Sequence, residues 1–317
     1  YMNKIFFIYL IIILNAASAN NFDNQIENLA IEYEDQVIEW RHWFHANPEL
    51  SNREFNTSKR IAEILNEIGY SPATGIAKTG VVAILDSGKP GPVVALRADI
   101  DGLPVKERVN LEWASDKTGE YNGELVPVMH ACGHDTHISI LLGVAKILYE
   151  MKEQISGKVK FIFQPAEEGA PEGEEGGAKL MVEEGVLNNP DVDVIFGLHI
   201  SSHDKVGKIS VKPEGIMAAV NSFRIDIKGK QAHGSAPWNS VDPIVTAAQM
   251  INNIQTIVSR NMKLTKAAAV VTIGAIHGGL RSNIIPEDLY MLGTIRTLDE
   301  GMKIKVHKRI REIVQKT

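Results

Sequence analysis

The segment "VMHACGHDTH", residues 128–137, sets three histidines, one cysteine and one aspartate within ten positions. Cys132 and His134 flank Gly133, which permits a sharp backbone path. Two ligands on one turn lose little entropy in closing on a metal ion. A helix is expected to open directly after the pair, with Asp135 or Thr136 as its cap. Its first amides favour nearby negative charge, so a Cys132 thiolate is expected to be stabilised there.

Three further segments offer candidates. "FIFQPAEEGA" leaves a strand at Pro165 and presents Glu167 and Glu168. "FGLHI" places His199 near the end of another strand, and "LRADID" does the same with Asp99 and Asp101. Strand ends of an open α/β sheet share one crevice. Four segments thus deliver Cys, His, Glu, His and Asp to one edge, a donor set that two divalent ions could share.

Each residue alone has an ordinary reading. A lone Cys is usually a buried hydrophobe, a lone strand His a hydrogen-bonded core residue, and a Glu pair in a loop is usually solvated. Their coincidence at the ends of consecutive elements points to a metal. The adjacent glutamates invite a division of labour. Glu168 can ligate, while Glu167 acts as base on a metal-activated water and then as acid to a leaving amine. That chemistry fits hydrolysis of an amide. Cys with His favours zinc, and Glu with His also permits manganese, cobalt or nickel. A competing reading makes Cys132 a nucleophile with a histidine base, but no third orienting group is evident.

The elements that must position these residues follow from periodicity. Ile26, Leu29, Ala30, Tyr33, Val37, Trp40 and Phe44 recur at helical steps, and Pro48 ends that run. "SNREFNTSKRIAEILNEIGY" predicts a second helix ended by Gly69. Strands are expected at 80–85, 92–98, 158–164 and 194–200, with helices at 136–151 and 176–185. This alternation predicts an α/β domain around a central sheet. "EEGAPEGEEGGA" reads as a flexible acidic loop. Polarity changes near residue 213, and the order β-α-β-β-α that follows predicts a smaller two-layer domain over 214–317.

Composition narrows the function classes. The 317 residues are 44% apolar with a formal net charge of −6, and no basic run or aromatic–basic interleaving suggests nucleic acid. Lys4, the run "IFFIYLIIIL" and the small residues of "NAASAN" read as a secretory signal peptide over 1–19, cut before Asn20. About ten apolar residues are too few to cross a core of roughly 30 Å, so no membrane attachment is expected after cleavage. The mature chain is expected to be secreted or periplasmic, with Cys132 its one thiol.

Seven ordered stretches carry a family resemblance: "HANPELSNREFNTS", "LRADIDGLPV", "MHACGHDTH", "QPAEEG", "FGLHI", "GKQAHGSAPWNSVDP" and "GGLRSNIIPEDLYMLGTIRT". From about residue 36 onward the chain resembles metal-dependent amidohydrolases and peptidases of the aminoacylase and carboxypeptidase G type. It is most similar to the branch of hippurate hydrolase, indole-acetyl-amino-acid hydrolase and N-acyl-amino-acid amidohydrolase. The resemblance implies a zinc-peptidase-like catalytic domain with a mixed sheet flanked by helices, over 20–213. It also implies an inserted α+β lid and dimerisation domain over 214–317.

Position by position, the resemblance implies that Cys132, His134, Glu168 and His199 ligate a pair of divalent ions and that Glu167 is the general base. It implies that His233 steadies the oxyanion in the dimer partner's site and that Asn283 holds the substrate carboxylate. Asp99 is expected to support the ligands from behind. The implied substrate is a small N-acyl amino acid or peptide-like amide. A dipeptidase or carboxypeptidase activity, or a catalytically incomplete metal- or ligand-binding relative, is the alternative. His45 is expected to cap or pack, His130 and His137 to tune or fold the ligand pair, and His203 and His277 to lie on the surface or the lid.

Two departures stand out. The family's last ligand is a histidine near the C-terminus, after the chain returns from the lid. This sequence ends inside the lid pattern, with His307 in its final helix, so an incomplete site and a missing last lid strand are expected. Trp238 stands where many relatives have His and reads most simply as packing.

Overall fold

The computed structural model describes the side chains of residues 22–317, and the signal peptide expected over 1–19 lies outside them. The chain divides into two compact units, Tyr1–Asp204 and Lys205–Thr317. Among the described residues no helix is long and apolar enough to cross a membrane.

The first unit is built on a five-stranded sheet. Its strands are β1 (Ala73–Ile76), β2 (Gly80–Asp86), β3 (Val93–Asp99), β6 (Lys158–Gln164) and β7 (Val194–Gly197), in the order β1-β2-β6-β3-β7. A hairpin of β4 (Thr118–Tyr121) and β5 (Glu124–Pro127) lies apart from it. The helices are α1 (Met2–Ala46), α2 (Phe55–Ile68), α3 (His134–Glu150) and the short α4 (Gly177–Glu183). Trp40 and Phe44 of α1, Ile61, Ile64 and Leu65 of α2 and Ile138, Leu142 and Ala145 of α3 form one core with Val81, Leu85, Ala98, Phe161 and Phe163 of the sheet. Strand β6 is buried along almost its whole length because it is central, and Val159, Phe161, Ile162 and Phe163 fill it with apolar side chains. Its buried cation, Lys160, donates to the carbonyls of Val186, Asn188 and Pro190.

Strands β3, β6 and β7 run parallel, with Asp99 opposite Gln164 and Arg97 opposite Gly197. Their C-terminal ends therefore line one edge of the sheet. The strand expected over 194–200 stops at Gly197 and is exposed along its length, because it is the edge strand and pairs only with β3.

Two expectations are corrected. Helix α3 begins at His134, and its N-cap is Gly133, two or three residues before the cap expected at Asp135 or Thr136. The Asp135 side chain turns away to His45 and Arg41 instead of capping. The acidic loop is tethered: Glu174 pairs with Arg53 and Lys78 at 2.5 and 2.6 Å and accepts from Asn52 at 3.0 Å.

The second unit holds an antiparallel sheet of β10 (Ala269–His277), β12 (Asp288–Thr297) and β8 (Ala219–Lys228), in that order. Helices α5 (Pro243–Thr256) and α6 (Glu300–Lys316) pack on it through Ala247, Met250, Ile254, Met302, Val306 and Ile310. Asp242 caps α5 and Asp299 caps α6, each accepting from backbone amides of the first turn. A two-residue ribbon, β9 (Ala232–His233) with β11 (Ile284–Ile285), escapes sequence periodicity because it is too short to show any.

Candidate active site

His134 is the centre of the site. It opens α3 with no exposed surface. Its Nδ1 lies 2.8 Å from the Asp101 carbonyl oxygen, so Nδ1 carries the proton and donates it. The opposite nitrogen, Nε2, is buried with no hydrogen-bond partner. A bare imidazole lone pair in a closed site is a cost unless something positive occupies it. Around it stand Asp99 at 3.6 Å, Glu167 at 3.8 Å and Glu168 at 3.9 Å.

Cys132 and His199 complete this side. The Cys132 Sγ is 3.3 Å from His199 Nε2, and His199 Nδ1 donates to the Ile200 carbonyl at 2.6 Å. Ligand atoms of Cys132, His134 and His199 lie within 4.8 Å of one another, and so do those of His134, Glu167 and Glu168. Gly133, at φ +86°, makes the tight turn possible. A Cβ there would also meet the end of the Ile200 side chain at 2.3 Å, and the left-handed φ itself favours glycine.

The expected Cys132 thiolate is overturned. Burial, then the Glu168 carboxylate and the charges of Glu167 and Asp99, push the thiol up to about 12. Full negative charges within a few ångströms outweigh the half-charge of a helix N-terminus. A thiolate here needs a cation, which also removes support for Cys132 as a free nucleophile. Burial and the neighbouring Asp99 charge likewise raise Glu167, which suits a base that must later give up its proton.

Buried carboxylates hold these residues. Asp101 takes the Ser51 hydroxyl at 2.7 Å and the Glu168 backbone N–H at 3.0 Å on Oδ2, while its Oδ1 is 3.2 Å from His134 Nδ1. Asp99 accepts Arg97 at 2.6 Å and His137 Nδ1 at 2.6 Å. Burial opposes a charged Asp99, yet His137, His134 and Arg97 bring it down to about 2. His137 Nε2 accepts the Ile200 N–H at 2.9 Å. Both its nitrogens are committed, so it ties the His199 segment to Asp99 and has no free lone pair for a metal.

The other histidines divide by surroundings. His45 packs between two acids, 2.9 Å from Asp135 and 2.9 Å from Glu107, with Arg41 also on Asp135 at 3.0 Å. His130 is buried without a partner for either nitrogen, and burial lowers it to about 4. His203 is exposed. A cavity of about 520 Å³ opens beside Glu168, lined by Ser51, Arg53, Leu103, Tyr121 and Glu172 among others.

The second unit brings its two candidates together. His233 pairs with Ile284 across the ribbon, and the Gly234 N–H donates to the Asn283 carbonyl at 2.9 Å. His233 Nδ1 accepts the Ser235 N–H at 3.1 Å, which leaves the imidazole proton on Nε2. Trp238 is 79% exposed, so it is not the packing residue expected of it. His277 stacks on Tyr290.

Sequence reasoning missed Ser51, Glu54 and Glu107, whose partners lie 25 to 112 positions away. For Ser51 and Glu54 the available signal was a set of polar residues at the start of the otherwise amphipathic stretch of α2, and Glu107, in the loop after β3, carries none.

Known proteins are similar to this chain over most of its length. A thermostable carboxypeptidase of Saccharolobus solfataricus is 44% identical over 291 residues, covering 92% of this chain and 70% of its own length. An N-acyl-L-amino acid amidohydrolase of Geobacillus stearothermophilus is 39% identical, covering 92% of this chain and 75% of its own. The crystal structure of a dinuclear metal-binding M20 peptidase from Bacillus subtilis superposes with a TM-score of 0.73 at 37% identity, covering 89% of this chain and 69% of that one. Residues 95–294 match peptidase family M20/M25/M40, and the chain belongs to that family.

Proposed function

We propose that this protein is a metal-dependent hydrolase that cleaves the amide bond of N-acyl amino acids or similar small peptide-like amides. The observation that carries the reading is the buried, unpartnered His134 Nε2, ringed by Cys132, His199, Glu167, Glu168 and Asp99. These donors fit a pair of divalent ions: carboxylates outnumber cations here, and the Cys132 proton is held until a cation displaces it. Cys132, His134, Glu168 and His199 would hold the ions, with Asp99 and Asp101 orienting the histidines from behind. The thiolate in the set favours zinc.

When bound, the ions would polarise the scissile carbonyl and acidify the attacking water. Glu167 takes that water's proton as the water attacks the carbonyl carbon. It returns the proton to the amide nitrogen as the C–N bond breaks, so acid and amine leave with the proton count balanced. His233, offered by a second copy of the chain, would donate Nε2–H to the developing oxyanion. Asn283, its neighbour on the ribbon, would receive the substrate carboxylate. The cavity beside Glu168 supplies room for one substituent of the amide.

The name of the Saccharolobus relative favours a carboxypeptidase as the second reading. It breaks the same type of bond with the same residues, and a panel of N-acyl amino acids against dipeptides separates the two.

The test is metal content per chain by elemental analysis, paired with turnover of the Glu167→Ala variant. Equal metal content in both proteins, with turnover lost only in the variant, is expected. Undiminished turnover without Glu167 would remove the base assignment, and absence of metal from both would remove the metal site.

A further inference from the structure

Glu54 has no place in the chemistry above, yet it is fully buried. It is the N-cap residue of α2, but its side chain does not cap the helix. One carboxylate oxygen accepts the Thr79 hydroxyl at 2.7 Å, and the other accepts the Ala166 backbone N–H at 2.8 Å. Three segments distant in sequence, the start of α2, the turn between β1 and β2 and the loop after β6, therefore meet on one acid. Burial pushes that acid up to about 7, so it is kept at a cost.

Ala166 shows what the acid does. It is buried and adopts φ +48°, a region that L residues avoid. Such a conformation persists in a residue other than glycine only where its surroundings over-determine it. Here the peptide is held on both sides. Glu54 takes the N–H. The carbonyl lies against Gly177, where a Cβ would come within 2.8 Å of the Ala166 oxygen. Pro165, just before, adds its own restriction to the turn.

The consequence falls on the next two residues. The left-handed turn at Ala166 sends Glu167 and Glu168 off the strand end to 3.8 and 3.9 Å from His134 Nε2. Between them the Glu168 N–H is pinned by Asp101. Two buried carboxylates thus clamp the loop at Ala166 and at Glu168, one on each side of Glu167.

We propose that Glu54 is a positioning residue for the base and the ligand, acting through the conformation of Ala166. This rests on the reading of Glu167 as base and Glu168 as ligand. The role needs two acceptor oxygens or their equivalent, not a negative charge. A glutamine satisfies it: its carbonyl takes the Ala166 N–H, and its amide donates to the Thr79 hydroxyl, which can accept.

The test compares Glu54→Met, which keeps volume and removes both acceptors, with Glu54→Gln, and adds Ala166→Gly to the Met variant. Metal binding is followed by titration with cobalt(II), whose visible absorption reports ligand geometry, and kcat is measured at saturating metal. Glu54→Met should weaken the second cobalt equivalent and lower kcat by about 10-fold or more, the range for residues that orient ligands from behind. Glu54→Gln should stay within about 3-fold of the parent, and Ala166→Gly should recover part of the loss because glycine takes the turn unaided.

An unchanged cobalt spectrum, affinity and kcat in Glu54→Met, with only a lowered Tm, would overturn the proposal. If that variant does not fold, Glu54→Gln decides: parent-like binding supports the clamp, and a loss overturns it. Glu167→Ala serves as control. Retained turnover there removes the base reading, while the cobalt titrations still test whether Glu54 places Glu168.

Discussion

His134 Nδ1 faces Asp101 twice, at 2.8 Å to its backbone oxygen and 3.2 Å to its carboxylate. This contact fixes the tautomer and leaves Nε2 as the bare lone pair. The other carboxylate oxygen of Asp101 holds the Glu168 N–H. One aspartate therefore sets both a histidine and a glutamate of the candidate metal site.

Replacing that aspartate should loosen both at once. Asp101→Ala should weaken metal binding by about 10- to 100-fold, the usual cost of losing a group that orients ligands. Asp101→Asn keeps one acceptor and should lose less. Isothermal titration with zinc measures the difference, and equal affinities in all three proteins would contradict the role.

Glu167 should separate binding from turnover. Glu167→Gln removes the proton acceptor while keeping the side chain's size. Metal content should stay at the parent level while kcat falls by about 10²- to 10⁴-fold, the span of general acid–base contributions. Glu168→Ala should instead release metal.

Cys132 should be chemically quiet without metal. With its thiol at about 12, only about one chain in 10⁴ carries a thiolate at pH 8. Alkylation by iodoacetamide of metal-stripped protein should be slower than that of free cysteine by orders of magnitude at that pH. Rapid labelling would mean the neighbouring acids do not govern the thiol.

The His45 cluster predicts a pH window for stability. The hydrogen bond to Asp135, opposed by burial, raises His45 above its usual 6.5. For a raised histidine the stabilisation is full below 6.5 and fades as pH climbs through the higher folded value. Burial works against Asp135, but the His45 bond, with His130 and Arg41, lowers it below 3.8, so its share is present above 3.8 and fades on acidification. The Tm gap between parent and His45→Gln should be widest between about pH 4 and 6.5 and narrow above. Glu107 and Arg41 also face this cluster, so the narrowing should not reach zero.

His233 should matter to rate and not to metal. Its Nδ1 is filled by Ser235, so Nε2–H is the available donor. His233→Ala should leave metal content intact and reduce kcat by about 10²- to 10³-fold, as loss of an oxyanion donor does. Full activity in that variant would remove the assignment.

Much of this molecule is local and therefore legible. Strand ends near Asp99 and at Gln164, the glycine turn between Cys132 and His134 and the β-α-β-β-α order of the second unit follow from periodicity and from glycine and proline placement, whereas the early end of β7 at Gly197 does not. These signals arise within one element and need no knowledge of its neighbours. Donor types are legible for the same reason: a cysteine, histidines and paired glutamates at strand ends state their chemistry in the chain itself.

Tertiary structure decided which donors are free. His45, His130, His134 and His137 are alike as letters. Asp101 accepts the His134 Nδ1–H hydrogen bond from 33 positions away and so fixes its tautomer, Asp99 engages His137 from 38, and Asp135 claims His45 from 90. The Cys132 thiol shows the same limit, since the helix start argued locally for a thiolate and carboxylates brought in by the fold reversed it. The sequence determines which groups can ligate or move a proton. Whether a given nitrogen, sulfur or oxygen is bare, protonated or tied depends on charges and hydrogen bonds from distant segments, and those act through space that only the folded chain creates.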